Sequence, residues 1–336
     1  MKSTGQNKGF TIVEMLTVMG IIAILIGLLV PALNQVKDYS KQVQQKSQFH
    51  SIDVALELFK TDFGAYPDSY DNRGDSAPAV VAPLQADNMN YGGAQKLAEA
   101  LVGWDLLGFH PRSGFRSDGM NYFQNPTFAG GYAWVYDTSN GLQAGTESEK
   151  SRDENIKNRK KYIDMENANA FRMQDVYNTN LTAGQGGVGG NFLTTNYVLC
   201  DVFAKNRTSG KKTGMPILYF KARINYTLQD FTIDGNYRND IYNYDDNRAL
   251  VCLGNTEGTT MHELESVTGT VTGSAYENFE KMILNKQVQQ STVTATNPDG
   301  ILRPYRADSY ILVSAGKDEL YGTSDDIFNF EKGSQQ

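Results

Sequence analysis

The chain of 336 residues is predicted to adopt an α+β fold, in which a long N-terminal helix packs on a small antiparallel sheet. Two patterns predict this fold. An apolar run followed by a one-sided apolar stripe occupies residues 10–66, as expected for one long helix. Short β-branched and aromatic runs, bounded by turn residues, then concentrate after residue 190, which is typical of antiparallel strands.

The predicted organisation has five segments. They are a polar leader over 1–9, a membrane-spanning helix over 10–31, its amphipathic continuation over 32–66, a variable inserted region over 67–190, and a sheet region over 191–336 that ends in a loop over 314–330.

The apolar run from Phe10 to Val30 has 21 residues. At about 1.5 Å of rise per residue it covers roughly 30 Å, enough to cross a bilayer. Lys2 and Lys8 precede it and no acidic residue occurs among the first nine, so the positive-inside rule leaves the N-terminus in the cytoplasm. Glu14 is the one carboxylate in the run, where an ionised carboxylate costs about 2.5 to 3.5 kcal/mol. No neighbouring residue compensates its charge, so we expect the Glu14 carboxylate to interact with a specific partner.

Gly9 lies between the basic leader and the apolar run, where cleavage removes the leader and keeps the helix. Together with Phe10 and Glu14, this order resembles the class III signal of type IV pilins and type II secretion pseudopilins. The resemblance implies that a prepilin peptidase cuts after Gly9 and methylates the new amino group of Phe10. It also implies that Glu14 of one copy neutralises the Phe10 ammonium of a neighbouring copy. Gly20 and Gly27 suit such close packing between helices in lipid.

The sequence Gly64-Ala65-Tyr66-Pro67 is predicted to end the long helix, because glycine relaxes the backbone and the residue before proline avoids the α region. Many major pseudopilins have a similar Gly-x-Tyr-Pro ending. On the preceding helix, the polar residues between the apolar positions are expected to face solvent or adjoining subunits: Lys37, Asp38, Lys41, Gln42, Gln44, Gln45 and Lys46.

Within the inserted region, helical patterns occur at 93–102 and about 147–177, and we expect these helices to lie at the outer surface. The Gly-x-Gly-x-x-Gly match at 184–189 is interpreted as a loop, because no apolar strand precedes it. Strands are predicted at 197–203, 216–222 and 309–314, with helical pieces at 263–267 and 276–285.

Three aspartates of the C-terminal loop, Asp318, Asp325 and Asp326, are candidate calcium ligands. Carboxylates and backbone carbonyls are the oxygen donors that calcium prefers. Major pseudopilins carry a similar loop, and the resemblance implies that these three residues bind calcium. Glu319 departs from the pattern, which has glycine there, and a solvated acidic turn is the alternative. A second acidic group is interpreted as a polar loop: Asp234, Asp240, Asp245 and Asp246.

Composition excludes other classes of function. The net charge is −7, and loss of Lys2 and Lys8 with the leader makes it −9 (−7 − 2), so no nucleic-acid partner is expected. The chain lacks the Cys-x-x-Cys, phosphate-loop and serine-elbow motifs of common enzymes, so no catalytic activity is expected. Cys200 and Cys252 lie in apolar contexts typical of buried free thiols, with a disulfide as the alternative.

The resemblance implies a structural subunit of a type II secretion pseudopilus that drives protein export. Its location would be the bacterial inner membrane, crossed once, with the C-terminal domain in the periplasm. Its partners would be the prepilin peptidase, copies of itself, other pseudopilins and the inner-membrane secretion platform. The alternatives are a type IV pilus subunit for adhesion or motility, and a membrane-anchored enzyme or glycan-binding module.

Overall fold

The structure is a computed structural model that describes residues 11–70, 90–122, 132–136, 156–177, 192–226, 229, 240–254, 262–264, 273–285 and 303–332. It divides into two compact units, Met1–Gln44 and Gln45–Gln336. The helices are α1 (Ile12–Phe63), α2 (Gly93–Val102), α3 (Met165–Ala168), α4 (Met173–Tyr177), α5 (Asp245–Val251) and α6 (Gly273–Ile283).

The strands are short and antiparallel throughout the described residues. They are β1 (Met120–Tyr122), β2 (Tyr132–Trp134), β3 (Ala170–Arg172), β4 (Tyr197–Leu199), β5 (Lys205–Asn206), β6 (Lys212–Thr213), β7 (Leu218–Lys221), β8 (Tyr310–Ser314) and β9 (Ile327–Phe328). The first six form two-stranded pairs, and the last three form a sheet with the order β7-β8-β9. These observations confirm the predicted α+β class.

Helix α1 has 52 residues and continues through Pro31. It is the one helix among the described residues that is long and apolar enough to cross a membrane. Every residue from 11 to 37 is exposed in the isolated chain. The helix ends as predicted, because Gly64 adopts a left-handed φ of 78° and donates its N–H to Lys60 O at 2.7 Å.

The second half of α1 buries its apolar stripe against the three-stranded sheet. Phe49, Ile52, Leu56 and Phe59 belong to a buried cluster that includes Leu312 of β8. Packing of the first helix on an antiparallel sheet is therefore confirmed.

Gln45 and Gln48 anchor the buried face of α1 to the end of β4. Gln45 is fully buried and its Oε1 accepts the N–H of Val202 at 2.9 Å. Gln48 Nε2 donates to Cys200 O at 2.9 Å. The expectation that Gln45 faces solvent or another subunit is wrong, because its position lies on the same side of the helix as the apolar stripe.

The three-stranded sheet is buried on both faces. Successive residues of a strand point to opposite faces, and the buried clusters follow that alternation: Tyr219 and Leu312 lie with α1, whereas Phe220 and Ile311 lie in a second cluster. Helix α6 covers the second face, where the rings of Phe220 and Phe279 are 4.8 Å apart. Only the α1 side of this arrangement was predicted from the sequence.

The inserted region contributes to the core rather than only to the surface. All ten residues of α2 are buried, and the helix packs against β4, β7 and α5. The bounds predicted for α2 are confirmed, but its expected place at the outer surface is wrong. Strand β3 pairs with β4 in the register Phe171↔Val198, so residues on both sides of position 190 share one two-stranded sheet.

Two other helical predictions change in the structure. In place of one helical stretch up to residue 177, the described residues contain the short helices α3 and α4 with β3 between them. A helix over 263–267 is wrong for its described residues, since Glu263 and Leu264 form a turn. The predicted loop at 184–189 lies outside the described residues.

Candidate functional site

Glu14 lies in the first turn of α1, where it forms a capping box with Thr11. Thr11 donates its backbone N–H and its hydroxyl to Glu14 Oε2, at 2.9 and 3.0 Å. In return, the Glu14 N–H donates to Thr11 Oγ1 at 3.2 Å. Each residue thereby satisfies a backbone donor that the start of a helix leaves without a partner.

This capping box gives the Glu14 carboxylate local hydrogen bonds that the sequence analysis did not predict, but it does not neutralise the charge. Thr11 is a functional candidate that the sequence pattern alone did not single out, although Thr-x-x-Glu before an apolar run is a recognisable signature of a helix start. Gly9 and Phe10, the predicted cleavage and methylation residues, lie outside the described residues. Glu14 is the member of the predicted N-terminal site that the structure places.

The C-terminal loop is organised around Asp325. Its Oδ2 accepts the N–H groups of Lys317 at 2.7 Å and Asp318 at 3.1 Å, and its Oδ1 accepts the hydroxyl of Thr323 at 2.5 Å. Partial burial opposes ionisation, but these hydrogen bonds outweigh it and lower the pKa of Asp325. The structure therefore brings two of the three predicted ligands, Asp318 and Asp325, into direct contact.

The side-chain oxygens of the other two aspartates accept fewer hydrogen bonds from the loop than those of Asp325. Asp318 accepts the Leu320 N–H at 2.8 Å, and burial together with the neighbouring Asp325 charge raises its pKa. Asp326 Oδ2 accepts the Gly322 N–H at 2.8 Å, whereas its Oδ1 is buried without a hydrogen-bond partner in the described residues. Burial raises the pKa of Asp326 to about 8.

Hard oxygen donors are thus present in the loop, and the lone Asp326 oxygen is of the kind that a cation satisfies. Within the part of the chain that the structure describes, no group of three His, Cys, Asp or Glu side chains is arranged to hold a metal ion. Calcium binding by Asp318, Asp325 and Asp326 therefore stays a prediction.

Glu319 occupies the glycine position of the loop with a glycine-like backbone. Its φ is 70°, in the left-handed region that L residues rarely adopt. Its side chain turns toward the β5–β6 hairpin, where Glu319 Oε1 lies 2.6 Å from Arg207 Nη2. The substitution of glutamate for glycine therefore keeps the backbone angle that glycine would supply.

Asp201 lies beneath the start of the C-terminal loop and is another residue that the sequence pattern did not single out. Its Oδ2 accepts the hydroxyl of Ser314 at 2.9 Å, and its Oδ1 accepts the N–H groups of Phe203 and Met215 at 3.1 and 3.2 Å. Complete burial raises its pKa to about 7. The neighbouring Gly214 is required here, because a Cβ atom would lie 2.1 Å from the Asp201 carboxylate.

The second acidic group is not a simple polar loop. Asp245 and Asp246 begin helix α5, so that interpretation is wrong for both, and Asp234 lies outside the described residues. Asp240 and Asp246 are buried, and Asp246 Oδ2 accepts the Ser69 hydroxyl at 2.5 Å. Burial raises the pKa of Asp246 to about 7. These residues tie the segment after α1 to the core.

Cys200 and Cys252 are buried and are not joined in a disulfide, which confirms the interpretation as buried thiols over a disulfide. Burial raises the pKa of the Cys200 thiol well above its usual range. Buried neutral thiols of this kind are unreactive.

The exposed apolar first half of α1, the capped Glu14 at its start and the small antiparallel sheet against its second half define a pilin-like α+β protein. The family described as the prokaryotic N-terminal methylation motif matches residues 5–30. This match includes Gly9, Phe10 and Glu14.

Curated relatives give the more particular likeness, and three of them carry the name type II secretion system core protein G. The protein of Escherichia coli K12 is 30% identical over 93 residues, which cover 28% of this chain and 64% of the relative. The protein of Pseudomonas aeruginosa is 36% identical over 91 residues, or 27% of this chain and 64% of the relative. The protein of Pectobacterium carotovorum is 29% identical over 86 residues, or 26% and 54%.

The chain spans less than two thirds of the length of each of these relatives. No solved structure matches it. The chain is therefore pseudopilin-like, by its N-terminal motif and by its likeness to core protein G.

Proposed function

We propose that this protein is a structural subunit of a type II secretion pseudopilus. A prepilin peptidase removes residues 1–9 and methylates Phe10, and the mature chains polymerise through α1 into a filament that drives protein export. The soluble unit lies in the periplasm, and the inner-membrane secretion platform assembles the filament. The observation that carries the proposal is the exposed, apolar, membrane-length first part of α1, which has Glu14 in its first turn and overlaps the methylation motif at residues 5–30.

The capping box indicates how the Glu14 carboxylate is held in position before the subunits assemble. Both hydrogen bonds from Thr11 go to Oε2, so the carboxylate is held at the helix start without a second chain. A charged group inside hydrocarbon is costly unless it is paired. The ammonium at Phe10 of an adjoining copy supplies the opposite charge, and pairing offsets the burial cost of both groups.

A matched pair of variants separates the charge of Glu14 from its capping role. Glu14→Gln keeps an oxygen that accepts both Thr11 bonds but removes the charge, whereas Thr11→Ala removes the capping hydroxyl, at about 1 kcal/mol, and keeps the charge. We expect E14Q to abolish sedimentable filaments and T11A to retain most of them when each is expressed with the secretion system. Filament yield from E14Q equal to that of the unmodified chain would overturn the proposal.

Mass analysis of the membrane-embedded chain tests processing separately. The expected mature protein begins at Phe10 and carries one methyl group, and Gly9→Val prevents both changes. Function is tested by restoring export of a secreted protein in a strain that lacks its major pseudopilin. Restored twitching without restored export would favour the type IV pilus alternative.

We also propose that the C-terminal loop binds calcium through Asp318, Asp325 and Asp326, with backbone carbonyls as further ligands. Support comes from the contact between the first two carboxylates, whose mutual repulsion a cation relieves, and from the unpaired Oδ1 of Asp326. The ion would supply positive charge among these carboxylates.

Thermal unfolding of the full chain in detergent micelles tests calcium binding. We expect calcium to raise the melting temperature relative to EDTA and relative to magnesium at the same concentration. Asp325→Asn removes this rise, whereas Asp308→Asn, at an exposed carboxylate outside the loop, keeps it. An equal response of both variants to calcium would exclude this site.

A further inference from the structure

The loop that follows β8 contains one residue whose backbone conformation needs an explanation. Glu319 has a φ of 70°, although it is not glycine. Such a conformation is unfavourable for an L residue and persists where surrounding contacts hold it in place. The contacts of the Glu319 side chain are therefore the natural place to look for what sets the shape of this loop.

Those contacts are a buried ion pair to the β5–β6 hairpin. The Glu319 carboxylate lies 2.6 Å from Arg207 Nη2, and the two side chains are 8% and 6% exposed. Lys205 is the second cation near Glu319, at 3.5 Å, but half of its side chain is exposed. An exposed pair contributes little, whereas removing one member of a buried pair leaves a charge in a poor environment. Arg207 is therefore the partner that matters.

Hydrogen bonds within the β5–β6 hairpin hold Arg207 in position, independently of its contact with the C-terminal loop. Its Nε donates to Thr213 Oγ1 at 3.0 Å, and its Nη2 donates to Thr213 O at 2.7 Å. Its backbone N–H donates to Lys211 O at 2.8 Å, which closes the hairpin turn. The guanidinium thus presents a fixed positive charge at one side of the C-terminal loop.

The other side of the same loop is held by hydrogen bonds to residues 262–264. The Tyr321 N–H donates to His262 Nδ1 at 3.1 Å, and the Leu264 N–H donates to Tyr321 O at 3.0 Å. The Tyr321 hydroxyl also donates to Pro216 O. Residues on both flanks of Leu320 therefore have fixed partners supplied by the protein itself.

We propose that Arg207 is a positioning residue that sets the shape of the C-terminal loop through Glu319, so that the loop is formed without a bound cation. The Arg207–Glu319 ion pair stabilises the left-handed backbone conformation between Asp318 and Leu320, which glycine would adopt without strain. This inference concerns the loop's shape and stands whether or not calcium binds there.

Hydrogen exchange of the full chain in detergent micelles with EDTA tests the proposal. The reporters are the loop amides bonded to loop carboxylates, those of Lys317, Asp318, Leu320 and Gly322. In the unmodified chain we expect them to be protected in the absence of calcium. Arg207→Met and Glu319→Gln should each speed their exchange by about a hundredfold, because each leaves one buried charge without its counter-charge.

Two matched variants control for unrelated effects. Lys205→Met removes the exposed cation near the same carboxylate and should change exchange by less than about threefold. Arg207→Lys keeps the charge and should restore part of the protection that Arg207→Met loses. Amides of β8 report on the rest of the fold and should stay protected in all four variants.

Three results would overturn the proposal. One is free exchange of the loop amides of the unmodified chain in EDTA, and the second is equal exchange in R207M and K205M. The third is equal acceleration of β8 and loop amides in both R207M and E319Q, because the pair would then stabilise the whole unit rather than the loop. A separate calcium titration that shows no binding would remove the calcium site and leave this inference intact.

Discussion

Asp201 offers a quantitative test of how burial controls stability in this fold. Its carboxylate is completely buried and accepts three hydrogen bonds, from Ser314, Phe203 and Met215. The Glu319 carboxylate adds to the effect of burial on the pKa. Replacing Asp201 with asparagine keeps an oxygen acceptor and removes the titrating group.

The size and sign of the effect follow from the pKa of Asp201, which burial raises from 3.8 to about 7. Between these values the folded state holds a proton that the unfolded state has lost, so the free energy of unfolding falls as pH rises. The full loss is about 4 kcal/mol, of which about 3 kcal/mol falls between pH 5 and pH 8. D201N should lack this part of the pH dependence.

Urea denaturation of the full chain in detergent micelles at pH 5 and pH 8 measures the difference. The D201N variant should gain about 3 kcal/mol over the unmodified chain on going from pH 5 to pH 8. Other buried carboxylates, such as Asp246, titrate in both proteins and cancel in the comparison. Asp164→Asn, at an exposed carboxylate without a side-chain capping bond, is the control. A D201N pH dependence within about 1 kcal/mol of the unmodified chain would refute this reasoning.

Three further outcomes are expected. Leu97→Ala, in the fully buried α2, should lower the free energy of unfolding by about 2 to 5 kcal/mol in urea titrations, and a loss near zero would place α2 at the surface. Without reductant, iodoacetamide should modify Cys200 and Cys252 only after unfolding, and a pair that resists alkylation in denaturant would indicate a disulfide. Glu319→Gly relieves the strain of the left-handed backbone but removes the buried partner of Arg207. Because loss of the ion pair outweighs the relief of strain, the free energy of unfolding should fall by about 2 kcal/mol. An increase in the free energy of unfolding would show that the backbone strain is the larger effect.

Elements with strong periodicity could be predicted from the sequence. The apolar run and stripe indicated α1, whose end at Phe63 agrees with the Gly-x-Tyr-Pro signal, and the β-branched and aromatic run at 309–314 indicated β8. The packing of α1 on the sheet was predicted as well, but the partners of α2 and β3 could not be predicted. The burial of α2 and the pairing of β3 with β4 depend on contacts between distant residues, which local pattern does not encode.

The candidate sites divide in the same way. Glu14 was identifiable because a carboxylate in an apolar run is rare. Its hydrogen bonds with Thr11 were not predicted, although the Thr-x-x-Glu capping signature is present in the sequence. Burial of Asp201 was not identifiable, since a single aspartate beside apolar residues does not show which strand will cover it. The ion pair between Arg207 and Glu319 joins residues 112 positions apart and has no local signal.

The central strand of the three-stranded sheet comes from late in the chain. Strand β8 lies between β7 and β9, and its Tyr310 hydroxyl donates to Asp53 of α1, 257 positions earlier, at 2.6 Å. Such distant contacts form only after the intervening chain has been synthesised, and they slow folding. A growing polypeptide therefore leaves part of the apolar side of its first helix uncovered until residues near 310 emerge, so a product truncated before that point would remain a substrate for chaperones and proteases.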